Sequence, residues 1–103
     1  MAEITLTSEN FRKEVIESDK TVLVDFWASW CAPCMMLSPI IAEVASEAGD
    51  NVVVGKVNVD EQESLAAEFG ISSIPTLLVF RNGEIVNASV GLKAKEHILA
   101  MLK

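Results

Sequence analysis

The sequence predicts an α/β fold, a mixed sheet covered by helices on both faces, and three observations lead there. β-Branched runs alternate with segments of helical apolar spacing along most of the chain. One run, Thr21 to Ala28, is apolar on both faces apart from Asp25, as a strand in the middle of a covered sheet must be. The dipeptide Asn82-Gly83 joins two further β-prone runs, and only residues at ease with positive φ suit the tight hairpin turn. With 103 residues the chain has enough for one compact domain and too few for two, so residues 1–103 are expected to form a single domain.

The elements follow in order. Ile4 to Leu6 is a short apolar run, and Thr7 and Ser8 after it are candidate N-caps. From there to Ser18, Phe11 and Val15 stand four apart, as one face of a helix requires. Thr21 to Ala28 is the central strand. Cys31 to Ala48 carries Leu37, Ile40, Ile41, Val44, Ala45 and Ala48 at helical spacing and stops at Gly49, a suitable C-cap. Pro39 lies inside that helix and predicts a kink, because it donates no hydrogen bond and crowds the Met35 carbonyl. Valine-rich Asn51 to Val59 reads as a third strand, and Ser64 to Phe69, closed by Gly70, as a short helix. Pro75 to Phe80 and Glu84 to Val90 form the hairpin, and Lys93 to Lys103 closes the chain as a helix with Ala94, Ile98, Met101 and Leu102 along one side. The expected order is β-α-β-α-β-α-β-β-α, a central mixed five-stranded sheet with four helices.

Composition narrows the function classes. Fifteen acidic residues against eight basic ones leave a formal charge of −7, which argues against nucleic-acid or anionic-membrane partners, since both reward clustered Lys and Arg. The same charge favours solubility and a monomer. The stretch Met1 to Thr7 lacks the basic and long apolar regions of a secretion signal, and no apolar run approaches the ~20 residues that span a bilayer. Two cysteines three positions apart are too close to staple distant segments. These features point to a cytoplasmic location, where thiols stay reduced.

The chemistry concentrates in Trp30-Cys31-Ala32-Pro33-Cys34, which follows the buried strand and opens the long helix. Free N–H groups and the positive dipole end of a first helical turn stabilise a thiolate, the reactive form of cysteine. Residues three apart on a helix hold their Cβ atoms at roughly 5–6 Å, so modest adjustment closes a disulfide. Pro33 suits a first turn because its missing N–H is not needed there. A structural zinc site is not expected: two cysteines and the single histidine, His97, fall short of four ligands. Asp25, among Val22, Leu23, Val24, Phe26 and Trp27, is expected to be desolvated with a raised pKa; its structural reading is an acid held by backbone donors or paired only with Lys56.

Asp25-Phe26-Trp27-Ala28-Ser29-Trp30-Cys31-Ala32-Pro33-Cys34, Lys56-Val57-Asn58-Val59-Asp60, Ile74-Pro75-Thr76-Leu77 and Asn82-Gly83 together resemble the thioredoxin family, in order and spacing, through essentially the whole chain. The resemblance implies the thioredoxin fold and a protein-disulfide reductase without bound cofactor. Cys31 is then the nucleophile toward a substrate disulfide and Cys34 the more buried thiol that resolves the mixed disulfide. Asp25 assists proton transfer at the buried cysteine, with Lys56 as its basic neighbour. Pro75, which by itself reads as an ordinary trans edge-strand proline, matches the family's cis-proline, and the Ile74 backbone beside it pairs with an extended substrate. Trp30, Ala32, Pro33 and Gly91 border the docking surface. The implied partners are disulfide-containing target proteins and a thioredoxin reductase, flavoprotein or ferredoxin-dependent.

Two positions depart from the family pattern: Ala32 stands where Gly is usual, and Met35 where Lys or Arg is common. The added methyl narrows the loop's backbone freedom, and the missing cation removes some support for the thiolate. Trp27 is expected to pack behind the site, Met35 and Met36 to lie at the surface or fill a groove, and His97 to sit on the surface. A non-catalytic binding subunit using the same surface is the competing class, and it needs neither cysteine. An oxidase or isomerase wants an oxidising compartment, which the N-terminal stretch argues against.

Overall fold

In the computed structural model, which describes residues 3–103, five strands form one mixed sheet. Met1 and Ala2, where the stretch read as lacking a secretion signal begins, lie outside the described residues. The strands are β1 (Ile4–Thr5), β2 (Thr21–Trp27), β3 (Val52–Asn58), β4 (Thr76–Arg81) and β5 (Glu84–Val90). The α-helices are α1 (Ala32–Glu47), α2 (Glu63–Glu68) and α3 (Lys95–Met101), and a π-helical turn at Arg12–Ile16 is the fourth helix. Across the sheet the order is β1-β3-β2-β4-β5, with β1, β3 and β2 parallel and β4 and β5 antiparallel to their neighbours.

β2 occupies the centre, as its doubly apolar sequence requires. Its residues alternate between two cores. Val22, Val24 and Phe26 join Leu6, Phe11, Val15, Leu65 and Phe80 beneath the π-helical turn and α2. Leu23 joins Leu37, Ile41, Val44, Leu77, Val79 and Ile98 beneath α1 and α3. Helices thus cover both faces. Each fully buried aliphatic side chain contributes roughly 1.5–3 kcal/mol relative to exposure. Among the described residues no helix is long and apolar enough to cross a membrane.

The first helix differs from its sequence reading. In place of an α-helix running to Ser18, the chain makes turns and then one π-helical turn that ends at Ile16, where the Glu17 N–H reaches back five residues to the Arg12 carbonyl at 2.9 Å. Local polar bonds compete with the regular ladder here. The Thr7 N–H donates to Asn10 Oδ1 at 2.8 Å while Asn10 Nδ2 donates to the Thr5 carbonyl at 2.9 Å. The helical turn's N-cap is Phe11, with no side-chain cap bond, and Thr7 Oγ1 instead accepts from the Glu9 N–H at 3.3 Å within the preceding turns. Phe11 and Val15 are buried as their spacing demands. The remaining helices match in place within two residues, and α1 runs unbroken through Pro39. At the hairpin, Asn82 and Gly83 both take positive φ, 54° and 79°, as the dipeptide predicts.

Gly55 on β3 leaves room for the side chains at the end of the neighbouring strand β1. A Cβ there would lie 2.8 Å from Leu6 Cγ and 3.4 Å from Ile4 Cγ1, and Leu6 is wholly buried. Gly55→Ala is therefore expected to destabilise the fold by about 1–3 kcal/mol through overpacking, as a lower urea midpoint at unchanged slope. Because the clash is with one side chain, Gly55→Ala combined with Leu6→Ala should lose less than the two single variants together. Full additivity would show that Leu6 does not confine Gly55.

Candidate active site

β2 leaves the core at Trp27 and turns into α1 within four residues. The Cys31 N–H donates back to the Ala28 carbonyl at 3.2 Å, which closes the turn. Cys31 then takes extended backbone angles, φ −93° and ψ 107°, as the N-cap of α1. An N-cap side chain normally accepts from an amide of the first helical turn; here the acceptor is sulfur, with the Cys34 N–H donating to Cys31 Sγ at 3.2 Å. Ala32, Pro33 and Cys34 follow as the first three helical residues, so the proline falls where no N–H is required. No acidic residue lies in this first turn to oppose negative charge on the sulfur. Cys31 and Cys34 are joined as a disulfide with Cα atoms 5.2 Å apart. Both residues are buried, Cys34 at 1 % exposed more completely than Cys31 at 5 %.

The facing wall is the bend leading into β4. Ile74 packs against the cysteine pair, and its carbonyl oxygen lies 3.8 Å from Cys31 Sγ. The Ile74–Pro75 peptide is cis and Pro75 is buried just before β4, an interior strand. The reading of Pro75 as a trans edge-strand residue is thus corrected, and the cis form implied by resemblance is present. The Thr76 hydroxyl donates to the Ser73 carbonyl and holds the bend. Gly91, at φ 96°, donates its N–H to the Pro75 carbonyl at 2.8 Å, tying the end of β5 to the same wall.

An exposed rim surrounds the pair. Trp30 is 69 % exposed, with its indole N–H donating to Asp60 Oδ2 at 2.7 Å. Asp60 is positioned in turn by its own N–H, which donates to Asn58 Oδ1 at 2.9 Å. Ala32 and Pro33 are exposed at the helix start, as are Met35, Met36, Val90 and Leu92 nearby. Trp27 is half-buried behind the cysteines. His97 is exposed on α3. Sequence reasoning missed Asp60 as the anchor of Trp30, although the stretch Lys56 to Asp60 contains it.

On the sheet face that α1 covers, two residues along β2 from Leu23, lies a buried acid. Asp25 is 1 % exposed and its Oδ1 has no hydrogen-bond partner. Desolvation pushes its pKa up to about 7; Lys56 opposes the rise and Glu3 adds to it. Lys56 is the register partner of Asp25 on β3. Its ammonium donates to Ser38 Oγ of α1 at 3.2 Å, stands 4.9 Å from the Trp27 ring centroid and pairs with Glu3 Oε1 at 4.0 Å. Backbone donors do not hold the Asp25 Oδ1, so that version of its structural reading has no support here.

A cysteine pair that closes within one turn at a helix N-terminus is built for thiol–disulfide exchange. Comparison with known proteins agrees. A family model described as Thioredoxin matches residues 2–103. The Thioredoxin of Rickettsia felis is 50 % identical over 94 residues, 91 % of this chain and 90 % of its own. That of Alicyclobacillus acidocaldarius is 48 % identical over 101 residues, 98 % and 95 % of the two chains, and that of Chlorobaculum thiosulfatiphilum 48 % over 92 residues, 89 % and 85 %. With this fold, this cysteine pair and this extent of similarity, the chain belongs to the thioredoxin family.

Proposed function

We propose that this chain is a protein-disulfide reductase and electron carrier, in which Cys31 attacks the target and Cys34 releases it. The observation that carries the assignment is the Cys31 sulfur serving as the N-cap acceptor of α1, in the less completely buried residue of the pair. In the dithiol form the helix terminus favours a Cys31 thiolate. That thiolate attacks one sulfur of a substrate disulfide, the substrate S–S bond breaks, and the first substrate thiolate leaves. Cys34 then passes its proton to the Asp25 carboxylate and attacks Cys31 Sγ. The intramolecular disulfide forms, the mixed disulfide breaks, and the second substrate sulfur departs as a thiolate; two electrons have passed to the substrate.

The surroundings support these roles. No backbone hydrogen bond among the described residues engages Ile74, which leaves its N–H and C=O for an extended substrate segment to pair with. Trp30, Ala32, Pro33 and Gly91 frame that approach. A base whose pKa lies near neutrality combines a useful ionised fraction with useful proton affinity, and Asp25 at about 7 has that property. Lys56 tempers its burial. A thioredoxin reductase returns the electrons, flavoprotein or ferredoxin-dependent, and a thiol-reducing compartment such as the cytoplasm is the setting in which a monomeric carrier of this kind works.

Cys31→Ser is expected to abolish disulfide reduction, whereas Cys34→Ser should accumulate mixed disulfides because only the first exchange survives. Mass spectrometry after incubation with an oxidised protein substrate reads both. Adducts on Cys34 in Cys31→Ser, with none on Cys31 in the other variant, would reverse the assignment.

Asp25 makes a stability prediction of definite sign. Its folded pKa, about 7, lies above the 3.8 of the unfolded chain, so the folded state binds the extra proton and stability declines as pH rises between those values. Over that window the oxidised protein should lose on the order of 3–4 kcal/mol relative to Asp25→Asn, which has no such titration. Urea unfolding of both proteins from pH 4 to pH 8 measures the gap. Stopped-flow reduction by Asp25→Asn should show slower resolution, and a constant gap with an unchanged rate would make Asp25 structural only.

A further inference from the structure

Glu3 enters no part of the mechanism above, yet it lies on the same sheet face as the buried acid. Ile4 and Thr5 of β1 pair with Gly55 and Lys56 of β3, and side chains two apart on a strand share a face, so Glu3 accompanies Thr5 and Lys56. Lys56 accompanies Asp25 by register. One ammonium is therefore set between two carboxylates, and each has a buried oxygen without a hydrogen-bond partner, Asp25 Oδ1 and Glu3 Oε1. The ammonium pairs at 4.0 Å with Glu3 and donates to Ser38. Among the described residues it makes no ion pair with Asp25. The charged groups that act on Asp25 are Lys56 and Glu3; its register partner on β4, Leu77, carries no charge, and the two cysteines are joined as a disulfide.

We propose that Glu3 is a positioning residue of the proton site: it engages Lys56 on the side away from Asp25 and so sets how readily Asp25 parts with its proton. The physical reason is competition for one cation. A carboxylate stabilised by an adjacent ammonium ionises early, and one deprived of it ionises late. Glu3 withholds Lys56 and adds its own repulsion, so Asp25 remains a strong enough base near neutrality to take the Cys34 proton. Neutralising Glu3 releases Lys56 toward Asp25, which then ionises at lower pH and holds a proton less tightly. This rests on the proton-acceptor role given to Asp25.

Titration of the Asp25 side-chain carboxyl by carbon-13 NMR, in the oxidised protein where neither cysteine titrates, tests it directly. Glu3→Gln should move the Asp25 midpoint to lower pH by on the order of half a pH unit or more, and the acid limb of the single-turnover resolution rate should move with it. In a Lys56→Met background the same substitution should have a much smaller effect, because the shared cation is gone. An unmoved midpoint overturns the inference, and an undiminished shift without Lys56 overturns the positioning route. Asp25→Asn separates the two readings. If it leaves the pH profile of resolution unaltered, the proton role of Asp25 fails. If it flattens the profile while Glu3→Gln leaves the Asp25 midpoint unmoved, only the role of Glu3 fails.

Discussion

The hydrogen bond from the Cys34 N–H to the Cys31 sulfur, 3.2 Å long, joins the fold to its chemistry. It exists because β2, buried on both faces, delivers the chain to the top of the sheet at a fixed point, and because the turn from Ala28 to Cys31 leaves no slack before α1 begins. A longer connection would let the sulfur drift from the helix end, and the dipole's influence falls off within about one turn. The apolar face of α1 pins the helix to the sheet through Leu37, Ile41, Val44 and Ala45. Core packing thus positions the acceptor that the amides of the first turn address.

Electrostatics divide the site into two layers. At the surface the helix terminus favours negative charge on Cys31, with no acidic residue in the first turn to oppose it. On the sheet, burial disfavours charge on Asp25, and the nearby cation is shared with Glu3 and Ser38. Under the proposed function one layer supplies the nucleophile and the other the base. The separation works because each is governed by a different element, α1 for the first and the β1-β3-β2 edge of the sheet for the second. Met35, where a cation is common in the family, is exposed and uncharged, which leaves the helix terminus with a larger share of thiolate stabilisation.

Local chemistry made much of this legible. The doubly apolar run Thr21 to Ala28 announced a central strand, Asn82-Gly83 a hairpin, and the cysteine spacing a helix-borne redox pair. The first helix was misread in type because Thr7 and Asn10 bond to nearby backbone groups and redirect the ladder, an effect that apolar spacing does not register. For Pro75 the residue type alone favours trans, and only the family motif pointed to the cis form. Interior placement depends on β5 pairing along β4 and on the Gly91 N–H donating to the Pro75 carbonyl, partners that the local stretch does not reveal. Asp60 and Glu3 went unnoticed because acidic residues near strand ends normally signify only solvent exposure.

By itself the sequence determined the fold class, the order of elements, the reactive pair and the buried acid, since each follows from periodicity or from residues adjacent in the chain. Only the tertiary structure decided which cysteine is less completely buried, that Asp60 anchors Trp30, that Gly91 ties β5 to Pro75, and that one ammonium lies between Asp25 and Glu3. Those contacts join residues 16 to 53 positions apart. Strand register and helix packing bring such residues together, and neither is a property of any local stretch of chain.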